Sequence, residues 1–89
     1  MDRDKWSARQ DFLQTCLREL RKESQLTQVQ LAQKLGRPQT YVSKYELGER
    51  RLDLFEINDI CNACDSTLAE FIAKIEPQLK RYSALNKRV

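Results

Sequence analysis

Residues 26–51 read LTQVQLAQKLGRPQTYVSKYELGERR, and this stretch decides the fold. Thr27 carries the kind of hydroxyl that commonly caps the start of a helix. Apolar residues then recur at helical spacing: Leu31, Ala32 and Leu35. Gly36 supplies the left-handed conformation in which a helix ends without steric cost. The pattern therefore predicts a helix over residues 28–35.

A second helix is predicted directly after this turn, over about residues 38–46. Pro38 suits the first turn of a helix, because its missing N–H is one that a first turn leaves unbonded anyway. Val42 and Tyr45 give the helix an inward side. Two helices joined by a glycine turn form a helix-turn-helix motif, whose second helix here carries residues 39–44.

The composition favours a small helical bundle around this motif. The chain has 89 residues, 40% of them hydrophobic, which supports one small core and no second domain. It contains only two glycines and two prolines, fewer turn residues than a sheet of this size needs. We therefore expect an all-α fold with five helices.

Three further helices complete the expected bundle. The first covers about residues 7–24, with Ser7 as a candidate cap. Asp53 and Glu56 have the spacing of a capping box and open the fourth helix. Its inward face is predicted to consist of Leu54, Ile57, Ile60, Cys61 and Cys64. Asp65 can adopt the conformation that ends this helix.

The fifth helix is expected to begin at a cap on Ser66 or Thr67 and to stop before Pro77. This gives three predicted regions: an N-terminal arm (1–6), the helical domain (7–76) and a basic C-terminal tail (77–89). The tail is either a further short helix or a loose segment, and the sequence favours neither.

Several classes of protein are disfavoured by composition. No apolar run approaches the roughly 20 residues that span a bilayer, and the first residues are too polar for a secretory signal. We therefore expect a cytoplasmic protein without a membrane partner. The chain has no histidine, its serines lack a credible base, and no paired carboxylates suggest a cleft, so we expect no enzyme.

The cysteines give no sign of a metal or redox site. There are three, an odd number that argues against a disulfide framework. Cys61 and Cys64 have C-x-x-C spacing, but no histidine or second cysteine pair completes a four-ligand zinc site. We expect reduced thiols on the buried side of a helix, and no cofactor.

The charges are segregated along the chain. Residues 37–52 hold four basic and two acidic groups, whereas residues 53–76 hold one basic and six acidic groups. A basic zone backed by an acidic zone would orient the molecule in the field of a polyanion.

These features resemble the Cro/C1-type helix-turn-helix regulators, which include the Xre-like bacterial transcription factors. The similarity covers about residues 13–75. Its motifs are L-R-x-x-R at 17–21, L-T-Q at 26–28, L-A at 31–32, L-G at 35–36 and V-S-K-x-E at 42–46. Cys64 and Asp65 depart from the usual leucine and glycine. The resemblance implies a lambda-repressor-like DNA-binding domain.

The resemblance also implies which residues touch DNA. In that family the second helix of the motif enters the major groove. Gln39, Thr40 and Lys44 are then expected at base edges, and Tyr41 and Ser43 at bases or backbone. The chemistry agrees, because glutamine can pair with adenine, lysine can donate to guanine, and threonine can meet the thymine methyl group.

Phosphate binding is expected from residues around this helix. Gln28 stands at the start of the first motif helix, where free N–H groups and the helix dipole favour an oxyanion, and the family uses this glutamine there. Arg37 lies in the turn, and Arg50 and Arg51 lie in the loop that follows.

Other residues of the motif are expected to be structural. A carboxylate beside a basic groove would repel phosphate, so Glu46 should turn inward and pair with Arg21. Tyr45 is expected in the core, with its hydroxyl at the edge, and Tyr41 on the surface. Trp6 in the N-terminal arm has no assigned role.

Dimerisation is the remaining implication, because family members commonly dimerise at the far end of the domain and a two-fold operator needs two copies. The predicted interface consists of Phe55, Leu68, Phe71, Ile72 and Ile75. The leading interpretation is a sequence-specific transcriptional repressor that binds double-stranded operator DNA as a homodimer. Two alternatives stay open: an antitoxin or accessory subunit with a toxin or other protein partner, and a restriction–modification controller protein.

Overall fold

The computed structural model describes residues 4–83, with side chains from residue 8 onward, and all regular structure in that part is helical. The elements are α1 (Asp4–Glu23), α2 (Gln28–Leu35), α3 (Gln39–Glu46), α4 (Leu54–Ala63), α5 (Leu68–Leu79) and a 3-10 helix, η1 (Lys80–Tyr82). The expected all-α, five-helix fold is confirmed. Within residues 4–83, no helix is long and apolar enough to cross a membrane.

Side-chain caps define where three of these helices begin. The Thr27 hydroxyl accepts a hydrogen bond from Gln30 N (3.0 Å), and Gln30 Oε1 accepts one from Thr27 N (2.9 Å). Asp53 and Glu56 make the same reciprocal pair at the start of α4, at 2.8 and 2.9 Å. Thr67, the second of the two candidates, caps α5. Each cap bonds N–H groups that a first turn otherwise leaves unpaired.

Left-handed residues end two of the helices as predicted. Gly36 has φ 67° and ends α2, and the next N–H, from Arg37, donates to Ala32 O at 3.0 Å. Asp65 follows α4 with φ 57°. Gly48, after α3, has φ 81°, and a Cβ placed there would overlap the side-chain amide of Gln14. Glycine at 48 therefore lets the loop after α3 approach α1 closely.

One core lies between the helices. Its most deeply buried side chains come from four of them: Leu17, Leu31, Val42, Tyr45, Ile60 and Cys61. All three cysteines are free thiols, and Cys61 and Cys64 are buried, as expected. Burial raises the pKa of each thiol, and that of Cys61 reaches about 11. In residues 4–83, no three potential metal-binding side chains cluster.

Three expectations about the helices are wrong. Ser7 lies inside α1 (Asp4–Glu23), so it is not the cap. Leu54 is the first residue of α4 and is 61% exposed, so it does not belong to the inward face. The fifth helix continues through Pro77 to Leu79, where proline costs one backbone hydrogen bond on an exposed face.

The last described turn folds back on the first helix. The rings of Phe12 and Tyr82 stack with centroids 5.0 Å apart, and Arg9 Nε donates to Tyr82 O at 2.8 Å. The start of the predicted tail is therefore helical and packed against α1. Its remainder, residues 84–89, and the side chain of Trp6 lie outside the described part of the protein.

Candidate nucleic-acid interface

Helix α3 has one buried side and one exposed side. The buried side holds Tyr41, Val42, Tyr45 and Glu46. The exposed side holds Gln39, Thr40 and Lys44, with Ser43 partly exposed between them. All three residues expected at base edges therefore lie on one open face of the helix, which we call the reading edge (Gln39, Thr40, Lys44).

The reading edge is joined to the start of α2. Gln39 Nε2 donates to Gln28 Oε1 at 2.7 Å, so the first residues of α2 and α3 are in contact. Gln28 Nε2 in turn donates to Glu46 Oε1 at 2.9 Å. Gln28 is thus partly buried and holds two side-chain hydrogen bonds, which leaves one of its N–H groups for another acceptor.

Glu46 turns inward and pairs with Arg21, as predicted. The contact is bidentate: Arg21 Nε lies 2.7 Å from Glu46 Oε2, and Arg21 Nη2 lies 3.0 Å from Glu46 Oε1. The remaining Arg21 Nη1 donates to Leu26 O at 2.9 Å, and Arg18 Nη2 donates to Glu46 O at 2.8 Å. The hydrogen bond to Glu46 raises the pKa of Arg21. This pair anchors α3 to α1.

The expectation that Tyr41 is exposed is wrong, since its side chain is only 8% exposed. The Arg37 guanidinium carbon lies 4.5 Å from the centre of its ring, and that of Arg50 lies 4.9 Å away. Tyr45 meets the same ring edge to face, with centroids 5.6 Å apart. Cations favour an aromatic face, so Tyr41 holds two predicted phosphate-binding arginines near α3.

The four predicted phosphate-binding residues differ in how free they are. Arg37 and Arg51 are exposed, whereas Gln28 and Arg50 are partly buried. Arg50 Nη2 also pairs with Glu56 Oε2 at 2.5 Å. The pKa of Glu56 is lowered, first by its hydrogen bond from the backbone of Asp53 and then by Arg50. Arg50 therefore links the loop after α3 to the start of α4.

The predicted dimer residues do not form one exposed face. Phe55 is 79% exposed, Leu68 and Ile72 are partly buried, and Phe71 and Ile75 lie in the core, with Phe71 only 3% exposed. Phe71 and Ile75 therefore contribute to the fold of one chain. Phe55 remains available on the surface, next to exposed Leu54.

Sequence reasoning missed the two contacts that organise this surface. The Gln28–Gln39 hydrogen bond joins residues 11 apart, and Gln28 meets Glu46 across 18 positions. The hint for the first was that a glutamine begins each motif helix. The clustering of Arg37 and Arg50 around Tyr41 had no comparable signal, because it depends on how the turn and the loop fold over the helix.

Comparisons with known proteins agree with this geometry. A family model described as Helix-turn-helix matches residues 17–71, more than half of the chain. In the search of curated proteins, no sequence matches this chain. The chain is 40% identical to an XRE-family like protein from Pseudomonas syringae pv. tomato str. DC3000, with a TM-score of 0.74, over 81% of this chain and 88% of that one.

A second solved structure is the clp gene regulator ClgR from Corynebacterium glutamicum, with a TM-score of 0.67 at 20% identity. The match covers 79% of this chain and 74% of that one, and it shows a shared fold alone. The family model and the first structure go further, because they share sequence across the motif and the helices around it. The chain therefore belongs to the Cro/C1-type, Xre-like helix-turn-helix family of DNA-binding transcription regulators.

Proposed function

We propose that the protein is a sequence-specific transcriptional repressor that binds operator DNA as a homodimer, with α3 in the major groove. One observation carries this proposal. The exposed polar side of α3 stands beside exposed Arg37, while the opposite side of the helix is anchored in the core. A helix held in this way can enter a groove about 12 Å wide and present side chains to base edges.

Sequence would be read by Gln39, Thr40 and Lys44. Each offers the chemistry that a base edge requires: an amide for adenine, a methyl and hydroxyl for thymine, and an ammonium for guanine. Ser43 adjoins the reading edge and can donate to a base or to the backbone. Tyr41 is buried, so its role is to support the arginines that surround it.

Phosphates would be held by Arg37 and Arg51, with Gln28 at the start of α2 and Arg50 in the loop. The remaining N–H of Gln28 and the free backbone N–H groups of the first turn of α2 suit a phosphate oxygen. Arg50 already forms an ion pair with Glu56, so we expect it to contribute less to phosphate binding than Arg51.

Two copies would place two α3 helices about 34 Å apart, one helical turn of DNA. Phe55 supports such a contact. Its side chain is 79% exposed, so a second chain that covers it would remove apolar surface from contact with water. Leu68 and Ile72 would border this contact. We expect no catalytic activity and no cofactor.

The proposal is tested by selecting bound duplexes from a random library and titrating the preferred sequence with salt. We expect one preferred, two-fold symmetric sequence and an affinity that falls steeply as salt rises. Gln39→Ala and Lys44→Ala should each relax the preference at separate base pairs, and Arg51→Ala should weaken all sequences alike. Gln78→Ala, at an exposed position of α5, is the matched control. Binding that is insensitive to salt and to both reading-edge substitutions would contradict the proposal.

The exposed Leu54 and Phe55 also fit a second candidate, in which the main partner is another protein. An antitoxin or accessory subunit would use this apolar pair against a toxin or other subunit. A restriction–modification controller would keep the DNA contacts and the dimer. Tight operator binding by the purified protein, with no co-purifying partner, would contradict the antitoxin and accessory roles.

A further inference from the structure

A continuous chain of hydrogen bonds runs from the core to the reading edge. It begins at the bidentate Arg21–Glu46 pair, passes from Glu46 Oε1 to Gln28 Nε2 (2.9 Å), and ends with Gln39 Nε2 on Gln28 Oε1 (2.7 Å). Glu46 is 2% exposed, whereas Gln39 is exposed. A buried ion pair is thus connected to a residue proposed to read DNA.

The chemistry of this chain fixes the direction of each amide. The Glu46 carboxylate, bonded to a guanidinium, can only accept hydrogen bonds, so Gln28 must turn its NH2 group toward it. The Gln28 oxygen then points the other way, and Gln39 must offer its own NH2 group to that oxygen. Reversing either amide would set two acceptors or two donors against each other.

This direction determines what Gln39 has left to offer. One N–H is used by Gln28, which leaves one N–H and the oxygen Oε1. Adenine presents one acceptor and one donor in the major groove, so it matches these two groups. Guanine presents two acceptors, N7 and O6. Pairing with both would need the two N–H groups of Gln39, and one of these is already bonded to Gln28.

We propose that the buried Arg21–Glu46 pair is a positioning device that sets the base preference of Gln39, through Gln28, to adenine over guanine. Glu46 and Arg21 touch no DNA in this scheme. Their role rests on the proposed function, because it requires that Gln39 read a base. It adds to their structural role, which is to join α1 and α3.

The test replaces the pair without leaving a buried charge. In Arg21→Met/Glu46→Met, two apolar side chains replace the two ions, and such replacements are often neutral for stability. Gln28 and Gln39 can then bond in either direction. We expect the wild type to prefer adenine over guanine by about tenfold or more, at the base pair whose preference is lost in Gln39→Ala. The ratio should fall below about threefold in the double variant.

Three outcomes of this comparison have distinct meanings. An unchanged ratio in a folded double variant, or a guanine preference in the wild type, would overturn the positioning role while leaving the proposed function intact. A wild type without any preferred sequence would contradict both. A merely structural role of the pair would lower stability and overall affinity, and it would not change the ratio between two bases.

A measurement on the free wild-type protein tests the chain of bonds without DNA and without any variant. Proton exchange of the side-chain amides can be followed by NMR. The control is Gln33, an exposed residue of α2, the helix that also contains Gln28. We expect one amide proton of Gln28 and one of Gln39 to exchange more slowly than those of Gln33. Equal rates in all three residues would overturn the proposal, even if the double variant fails to fold.

Discussion

At the scale of single residues, Glu46 should matter more for stability than any exposed charge. Glu46→Ala leaves the Arg21 guanidinium buried without its partner, and this should cost about 3–5 kcal/mol of unfolding free energy in urea titration. The matched control is Glu23→Ala, which removes the exposed pair with Lys74 and should cost less than about 1 kcal/mol. Similar losses in the two variants would contradict this prediction.

Two buried acids should make the protein sensitive to alkaline pH. Burial raises the pKa of Cys61 from 9.0 to about 11 and also raises that of Tyr45. The unfolded chain therefore loses these protons first, so stability is full below about pH 9 and falls as pH rises toward 11. We expect a loss of about 2 kcal/mol from Cys61 over this interval.

Urea titrations between pH 7 and 11 measure this effect, with Cys61→Ala and Tyr45→Phe as the comparison variants. The Tyr45 hydroxyl is buried without a hydrogen-bond partner, so Tyr45→Phe should also cost little at pH 7. A double variant that loses stability as fast as the wild type would show that other groups are responsible.

At the scale of elements, the start of α4 depends on one carboxylate. Asp53→Ala removes the acceptor for Glu56 N and should cost about 1 kcal/mol of unfolding free energy. Asp53→Ser keeps an acceptor at the same place and should cost clearly less. Chemical denaturation of both variants gives the comparison, and equal costs would mean that the cap contributes little.

The helices were largely predictable because their limits depend on local chemistry. Thr27 and Asp53 cap helices through residues three positions away, so sequence spacing alone reveals them. The burial of individual side chains was harder to predict. A helical stripe does not say which neighbours cover its edges, and Tyr41 is covered by Arg37 and Arg50 from separate segments.

At the scale of the whole molecule, Phe55 and Phe71 should separate association from folding. Phe55→Glu changes an exposed ring, so it should abolish the proposed dimer in sedimentation equilibrium while leaving thermal unfolding of the monomer nearly unchanged. Phe71→Ala removes a core ring and should cost about 3–5 kcal/mol. A dimer that survives Phe55→Glu would place the contact elsewhere.

The candidate site was predicted as a set of residues, and the structure adds their connections. The resemblance to the Cro/C1-type regulators was enough to propose Gln39, Thr40 and Lys44, because it assigns these positions of the second motif helix to base edges. The contact between Gln28 and Glu46 requires α2 and α3 to pack at one particular angle. The packing angle between α2 and α3 cannot be predicted from sequence periodicity.

The shielded thiols have a practical consequence for chemical labelling. The thiolate is the form that attacks thiol reagents, and burial raises the pKa of Cys16, Cys61 and Cys64, which keeps this form scarce at neutral pH. A cysteine introduced at exposed Thr40 would therefore react well before the native ones. A fluorophore or cross-linker can thus be attached on the reading edge itself, with Thr40 as the only residue replaced.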